Sequence, residues 1–100
     1  MIKKLIKLIK KIYILLIKVL TYQGMKEAKV IFIYEKSVVI IQCSKDEKMK
    51  DICQKYVNKI NKDINSLEFL YGVNQLNFNL NFNEQANRID KEQNIMKVLV

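Results

Sequence analysis

The sequence has no histidine, no proline and no tryptophan, and only two glycines (Gly24, Gly72) and two cysteines (Cys43, Cys53). Without histidine there can be no Ser-His-Asp relay. Nearly every zinc pattern is excluded too, since two thiolates complete only half of a tetrahedral site. So few glycines also rule out a glycine-rich phosphate loop and a nucleophile elbow. Ten carboxylates are scattered over residues 25–100. A catalytic pair among them would need a desolvated cleft, which a domain of this size hardly spares once its single core is filled. The chain is therefore expected not to be an enzyme and to need no cofactor. Two sparse cysteines read as buried, reduced thiols of a cytoplasmic protein; a disulfide would require their Cα atoms to lie within about 7 Å.

What remains is half apolar, rich in Lys, Ile and Asn, residues that A/T-rich codons supply, and long enough for one domain. The net charge of +8 invites a nucleic-acid reading, but its distribution argues against one. Residues 1–24 carry six Lys and no acid, whereas residues 25–100 carry twelve basic and ten acidic side chains, so +6 of the charge lies in the first segment and +2 in the rest. A basic groove for phosphates is not expected, nor is a nucleic-acid partner.

Seventeen of the first twenty residues are Ile, Lys or Leu. At about 100° per residue, Lys3, Lys4, Lys7, Lys10, Lys11 and Lys18 fall within an arc of roughly 120°, with only Ile14 intruding. Residues 1–24 thus read as a cationic amphipathic helix able to lie on an anionic membrane surface. A secretory signal fits poorly, because Lys18 cuts the apolar run Ile12–Ile17 and no small residue follows before Gly24. Six lysines forbid a membrane span. Met25 stands where patterned sequence begins, so residues 1–24 also read as upstream sequence outside the protein proper.

From Ala28 the period changes. Val30–Tyr34 and Val38–Cys43 are β-branched and apolar around Glu35-Lys36-Ser37, which predicts a hairpin with Phe32 opposite Val39 and Val30 opposite Ile41. Ser44 and Glu47 have capping-box spacing before an apolar stripe of Met49, Ile52, Cys53, Tyr56 and Ile60, which predicts an amphipathic helix ending at Asn61. Leu67 and Phe69 suggest a short strand before a turn at Tyr71-Gly72. Leu76, Phe78, Leu80 and Phe82 alternate with asparagines as a half-buried strand does. Because asparagine is a poor strand residue, only a short regular stretch is expected there, with the remainder looping round the domain edge. Glu84–Asn94 is polar, and Ile95–Val100 closes as a strand.

A terminal segment this apolar must lie inside the sheet, beside the first strand. That order resembles a divergent ubiquitin-like domain over residues 25–100. The resemblance is carried by Met49, Ile52 and Tyr56, by Leu67-Glu68-Phe69-Leu70-Tyr71-Gly72, by Leu76, and by Ile89-Asp90-Lys91-Glu92. It implies an α+β, β-grasp fold: a mixed sheet packed on one amphipathic helix, here preceded by the cationic one. It also implies a non-catalytic protein-interaction module. The family's conjugating members end in Gly-Gly, whereas Lys97-Val98-Leu99-Val100 stands here, and the exposed isoleucine of ubiquitin's recognition patch aligns with Glu68. Conjugation and ordinary ubiquitin-receptor binding are therefore not expected.

The expected core is Val30, Phe32, Val39, Ile41, Met49, Ile52, Tyr56, Leu67, Phe69, Ile89, Met96 and Val98. The period of two then sends Ile31, Ile33, Val38, Ile40 and Leu99 to the opposite face, with Glu68 and Lys97 on or beside it. One helix covers one face only, so this set is the candidate protein-binding surface.

Overall fold

The computed structural model describes residues 2–100, with the side chains of residues 17–26 outside the described part. Its elements are helix α1 (Ile2–Lys26), strands β1 (Glu27–Tyr34) and β2 (Ser37–Ser44), helix α2 (Met49–Ile60), a 3-10 turn (Ile64–Ser66), strands β3 (Leu70–Tyr71) and β4 (Asn74–Gln75), helices α3 (Phe82–Gln85) and α4 (Arg88–Gln93), and strand β5 (Ile95–Leu99). The sheet runs β2-β1-β5-β3-β4. β5 lies parallel to β1, and the other pairings are antiparallel. The last strand therefore sits centrally beside the first, as the resemblance implies.

The hairpin has the expected register, Phe32 opposite Val39 and Val30 opposite Ile41, closed by the two-residue loop Glu35-Lys36. Glu35 closes it at φ 54°, in the left-handed region that glycine or asparagine ordinarily fills. A Cβ there costs on the order of 1 kcal/mol. Glu35→Gly should therefore stabilise the domain by roughly 0.5–1 kcal/mol, read as a higher urea midpoint with unchanged slope. A lower midpoint would show that the glutamate side chain contributes something the backbone conformation does not reveal.

Helix α2 starts and stops for different reasons. Asn61 ends it as expected, at φ 59°, with its N–H donating to the Val57 carbonyl. The capping box at Ser44 and Glu47 is not formed. Ser44 still belongs to β2, and its Oγ accepts from the Asp46 N–H at 3.3 Å, holding a turn before the helix. Lys48, the residue at the cap, provides no side-chain acceptor. Instead the Met49 and Lys50 N–H groups donate to the carbonyls of Leu80 (2.8 Å) and Phe78 (3.1 Å). The first two N–H groups of the helix are thus satisfied by a distant segment, and the next two, of Asp51 and Ile52, by the Lys48 carbonyl.

That segment is the one whose alternation suggested a strand. The regular strand falls earlier, at Asn74–Gln75, and residues 76–83 contribute only an isolated bridge between Asn81 and Lys48. The asparagines explain why. Asn77 Oδ1 accepts from the Asn79 N–H, and Asn81 Oδ1 accepts from the Glu84 N–H in a reciprocal capping box that opens α3. Side chains that bond their own backbone compete with a strand ladder. Three of the four apolar residues nevertheless turn inward: Leu76 and Phe82 are buried, and Phe78 packs against the core.

One face of the sheet and α2 enclose the core. Phe32 stacks on Tyr56 with ring centroids 4.3 Å apart, and Phe69 meets both edge-on at 6.1 and 6.2 Å. Of the expected core, Val39 and Leu67 are partly buried against this cluster, and Ile89 is a correction: it is 65% exposed. Helix α4 is held by its Asp90 face, where the Tyr71 hydroxyl donates to Asp90 Oδ2 and itself accepts from the Asn87 N–H at 2.9 Å. Ile89, one residue and about 100° away round the helix, is turned to solvent. Phe82, Val57, Leu76, Ala28 and Ala86 join the core beyond those expected.

Candidate functional site

Four neighbouring strands, β2, β1, β5 and β3, place apolar side chains on the face that α2 does not cover. Register sets them in rows. Val38 lies opposite Ile33, which lies opposite Leu99, which lies opposite Leu70. In the next row Ile40 lies opposite Ile31, which lies opposite Lys97. Val38, Ile40 and Leu99 are 60%, 51% and 49% exposed, and Ile31 and Ile33, in the central strand β1, are half-buried. Their neighbours in sequence, Val30, Phe32, Ile41, Met96 and Val98, point inward and are buried, so alternation alone separates the two sets.

Leu70 was missed by the sequence reading. Phe69 is buried, so the residues on either side of it must face outward, and that alternation was a sufficient signal. Of the two charged residues assigned to this surface, Lys97 is exposed within the second row. Glu68 is exposed but precedes β3, and the antiparallel pairing of Leu70 with Leu99 carries it past Leu99, away from Lys97. The two charges bracket the apolar rows rather than sitting together.

Among the described residues, no other group of side chains is arranged as a reaction centre would require. A cleft beside the ends of β1 and β2 is lined by Glu27, Lys29, Gln42, Glu47 and Lys55 together with the Cys43 edge. Glu47 is engaged by Lys55 Nζ at 2.7 Å, and the Cys43 thiol donates to the Ala28 carbonyl. Burial pushes the Cys43 thiol up to about 11, with the Glu47 carboxylate adding to the effect and Lys55 opposing it. Burial alone pushes Cys53 to about 12. Thiols held protonated in this way are poor nucleophiles and poor metal ligands. Among the described residues, no three His, Cys, Asp or Glu side chains converge as a metal site would require. The raised Tyr71 hydroxyl follows from burial, with the Asp90 carboxylate adding to it and the Asn87 N–H opposing; its bonds tie α4 to β3 and are accounted for structurally.

Of the lysines assigned to the alternative membrane surface, Lys3, Lys4, Lys7, Lys10 and Lys11 are exposed on α1, and the side chain of Lys18 lies outside the described residues. No described helix is long and apolar enough to cross a membrane.

No protein-family model matches the sequence, and no curated protein does. Solved structures do. A protein described as a molecular mimic of SUMO that promotes DNA repair superposes with a TM-score of 0.57 at 11% identity, covering 74% of this chain and 89% of its own. A designed protein based on ubiquitin superposes with a TM-score of 0.58 at 8% identity, covering 74% of this chain and 85% of its own. At these identities the likeness is one of fold. The chain has an α+β, ubiquitin-like β-grasp fold.

Proposed function

We propose that this chain is a non-catalytic, ubiquitin-like protein-interaction module whose binding surface is the outer sheet face. The observation that carries the reading is the row Val38, Ile33, Leu99 and Leu70, flanked by Ile40 and Ile31. These are contiguous apolar side chains on one sheet face, with Val38, Ile40 and Leu99 exposed and Ile31, Ile33 and Leu70 half-buried. Contiguous exposed apolar surface of this kind marks interaction sites. Its central, half-buried members supply the apolar anchor, and Lys97 and Glu68 supply a polar rim. Ile33→Asp and Leu99→Asp should each leave the fold intact, by circular dichroism and urea unfolding, while abolishing partner capture in a pull-down. If either substitution unfolds the domain, the two faces have been assigned the wrong way round. With Glu68 where ubiquitin's patch has an isoleucine, generic ubiquitin receptors should bind poorly.

The module is further proposed not to be conjugated through Lys97–Val100. Val98 is buried, and the Val100 N–H donates to the Ile33 carbonyl at 2.9 Å, so this stretch is held in the sheet by bulky residues instead of being free to thread an enzyme channel. Incubating the chain as it stands with a ubiquitin-type activating enzyme and ATP should yield no thioester. A thioester resistant to boiling but cleaved by reductant would overturn this.

A further inference from the structure

We infer that α1 is a lipid-contacting element that lies flat on an anionic bilayer surface. The observations are its exposure, its length and its charge. From Ile2 to Leu16 every side chain is exposed, and its ten large apolar residues, among them Leu5, Ile9 and Ile12, are between 47% and 75% accessible. Such a helix is not sustained by packing on the domain, and short helices in water gain most of their stability from burying an apolar face. Fifteen residues rise about 22 Å, enough to lie along an interface, and no described helix is long and apolar enough to cross one.

Charge decides among the possible occupants of the apolar face. Lys3, Lys4, Lys7, Lys10 and Lys11 flank it on one arc, and residues 1–24 contain no acid. Pairing with α1 of a second copy would bring ten such lysines together with no acid from either helix to offset them. Folding back onto the outer sheet face meets no surplus of acid either, because the exposed Lys29 and Lys97 offset Glu27 and Glu68. An anionic bilayer supplies both an apolar phase for Leu5, Ile9 and Ile12 and negative charge for the lysines, each worth roughly fivefold in partitioning.

The test is flotation of the full chain with vesicles of phosphatidylcholine alone and of phosphatidylcholine mixed with phosphatidylserine, at low and high salt. The chain should float with the mixed vesicles, lose binding at least about tenfold on the zwitterionic ones, and weaken as salt rises. Ile9→Asp with Ile12→Asp should abolish flotation, and Lys3→Gln, Lys7→Gln and Lys10→Gln together should reduce it at least about tenfold. Both sets should leave the domain's unfolding curve unchanged, since these side chains are exposed. Val38→Asp, on the outer sheet face, should leave flotation unchanged, which separates failure of this inference from failure of the protein-binding reading. Equal flotation on both vesicle types, no flotation on either, or an Ile9→Asp, Ile12→Asp variant that floats like the parent would each overturn it. So would a dimer in sedimentation that those two substitutions dissolve while vesicles capture nothing.

Discussion

Truncating Phe82 to alanine is expected to cost about 3–5 kcal/mol, enough to leave a domain of this size largely unfolded. Phe82 is completely buried, although it opens a helix of only four residues. Its N–H donates to the Glu47 carbonyl and its own carbonyl accepts from Ala86, so it fixes both the approach to α2 and the turn that follows. The same segment delivers the Leu80 and Phe78 carbonyls to the first N–H groups of α2. Removing the ring therefore opens a cavity and loosens the acceptors of the first two N–H groups of α2. Urea unfolding followed by far-UV circular dichroism would measure the loss. Ile52→Ala, in the first turn of α2 and equally buried, should cost about 2–5 kcal/mol and serves as the reference. A loss at Phe82 below about 1 kcal/mol would mean that the 76–82 segment packs on a core already complete without it.

The second large effect is on the thiols. Relative to the ordinary 9.0, Cys43 ionises at about 11 and Cys53 at about 12, so at a fixed pH near 8 the folded thiolate fraction is lower than in the unfolded chain by roughly 100-fold and 1,000-fold. Ellman's reagent should label neither residue in the native protein on the timescale of its reaction with urea-unfolded chain. Rapid native labelling of either would show that the core opens locally. The same displacement makes stability depend on alkaline pH. The native state keeps its thiol protons while the unfolded chain releases them near 9, so the native state binds more protons from there up to about 11. The contribution is complete below pH 9 and falls as pH rises through that window. Cys43→Ala should flatten the slope of the urea midpoint above pH 9.

How much of this was legible in the sequence depends on which residues are asked. The hairpin register and the two faces of β1 and β2 could be read because a period of two, once the loop is fixed at Glu35-Lys36, leaves one solution. Asn61 could be read because asparagine tolerates the left-handed region that ends a helix. The cap at Ser44 misled because its spacing satisfies a local rule, whereas α2 starts four residues after Lys45 and finds its acceptors in a segment some thirty residues away. Ile89 misled for a related reason. Its helix is oriented by the partners of Asp90 and Asn87 on Tyr71, and no periodicity within six residues reveals which side they will pull inward. Leu70 was legible and overlooked. At Leu76–Phe82 the alternation gave the inward direction of Leu76, Phe78 and Phe82 but not of Leu80, and the expected loop could be read because asparagines bond their own backbone in place of a ladder.

The parallel pairing of β1 with β5 has a bearing on how the protein comes into being. Val30 finds its neighbour Met96 only after residues 31–95 have been made. Until then the nascent hairpin must wait with Ile31 and Ile33 on one side and Val30 and Phe32 on the other, and with the β1 edge unpaired. Long-range closure of this kind is slow, and it leaves a two-sided apolar ribbon open to aggregation in the meantime. A ribosome that stalled within β5 would release not a slightly destabilised module but a sheet missing its middle, with β2-β1 and β3-β4 as separate pieces.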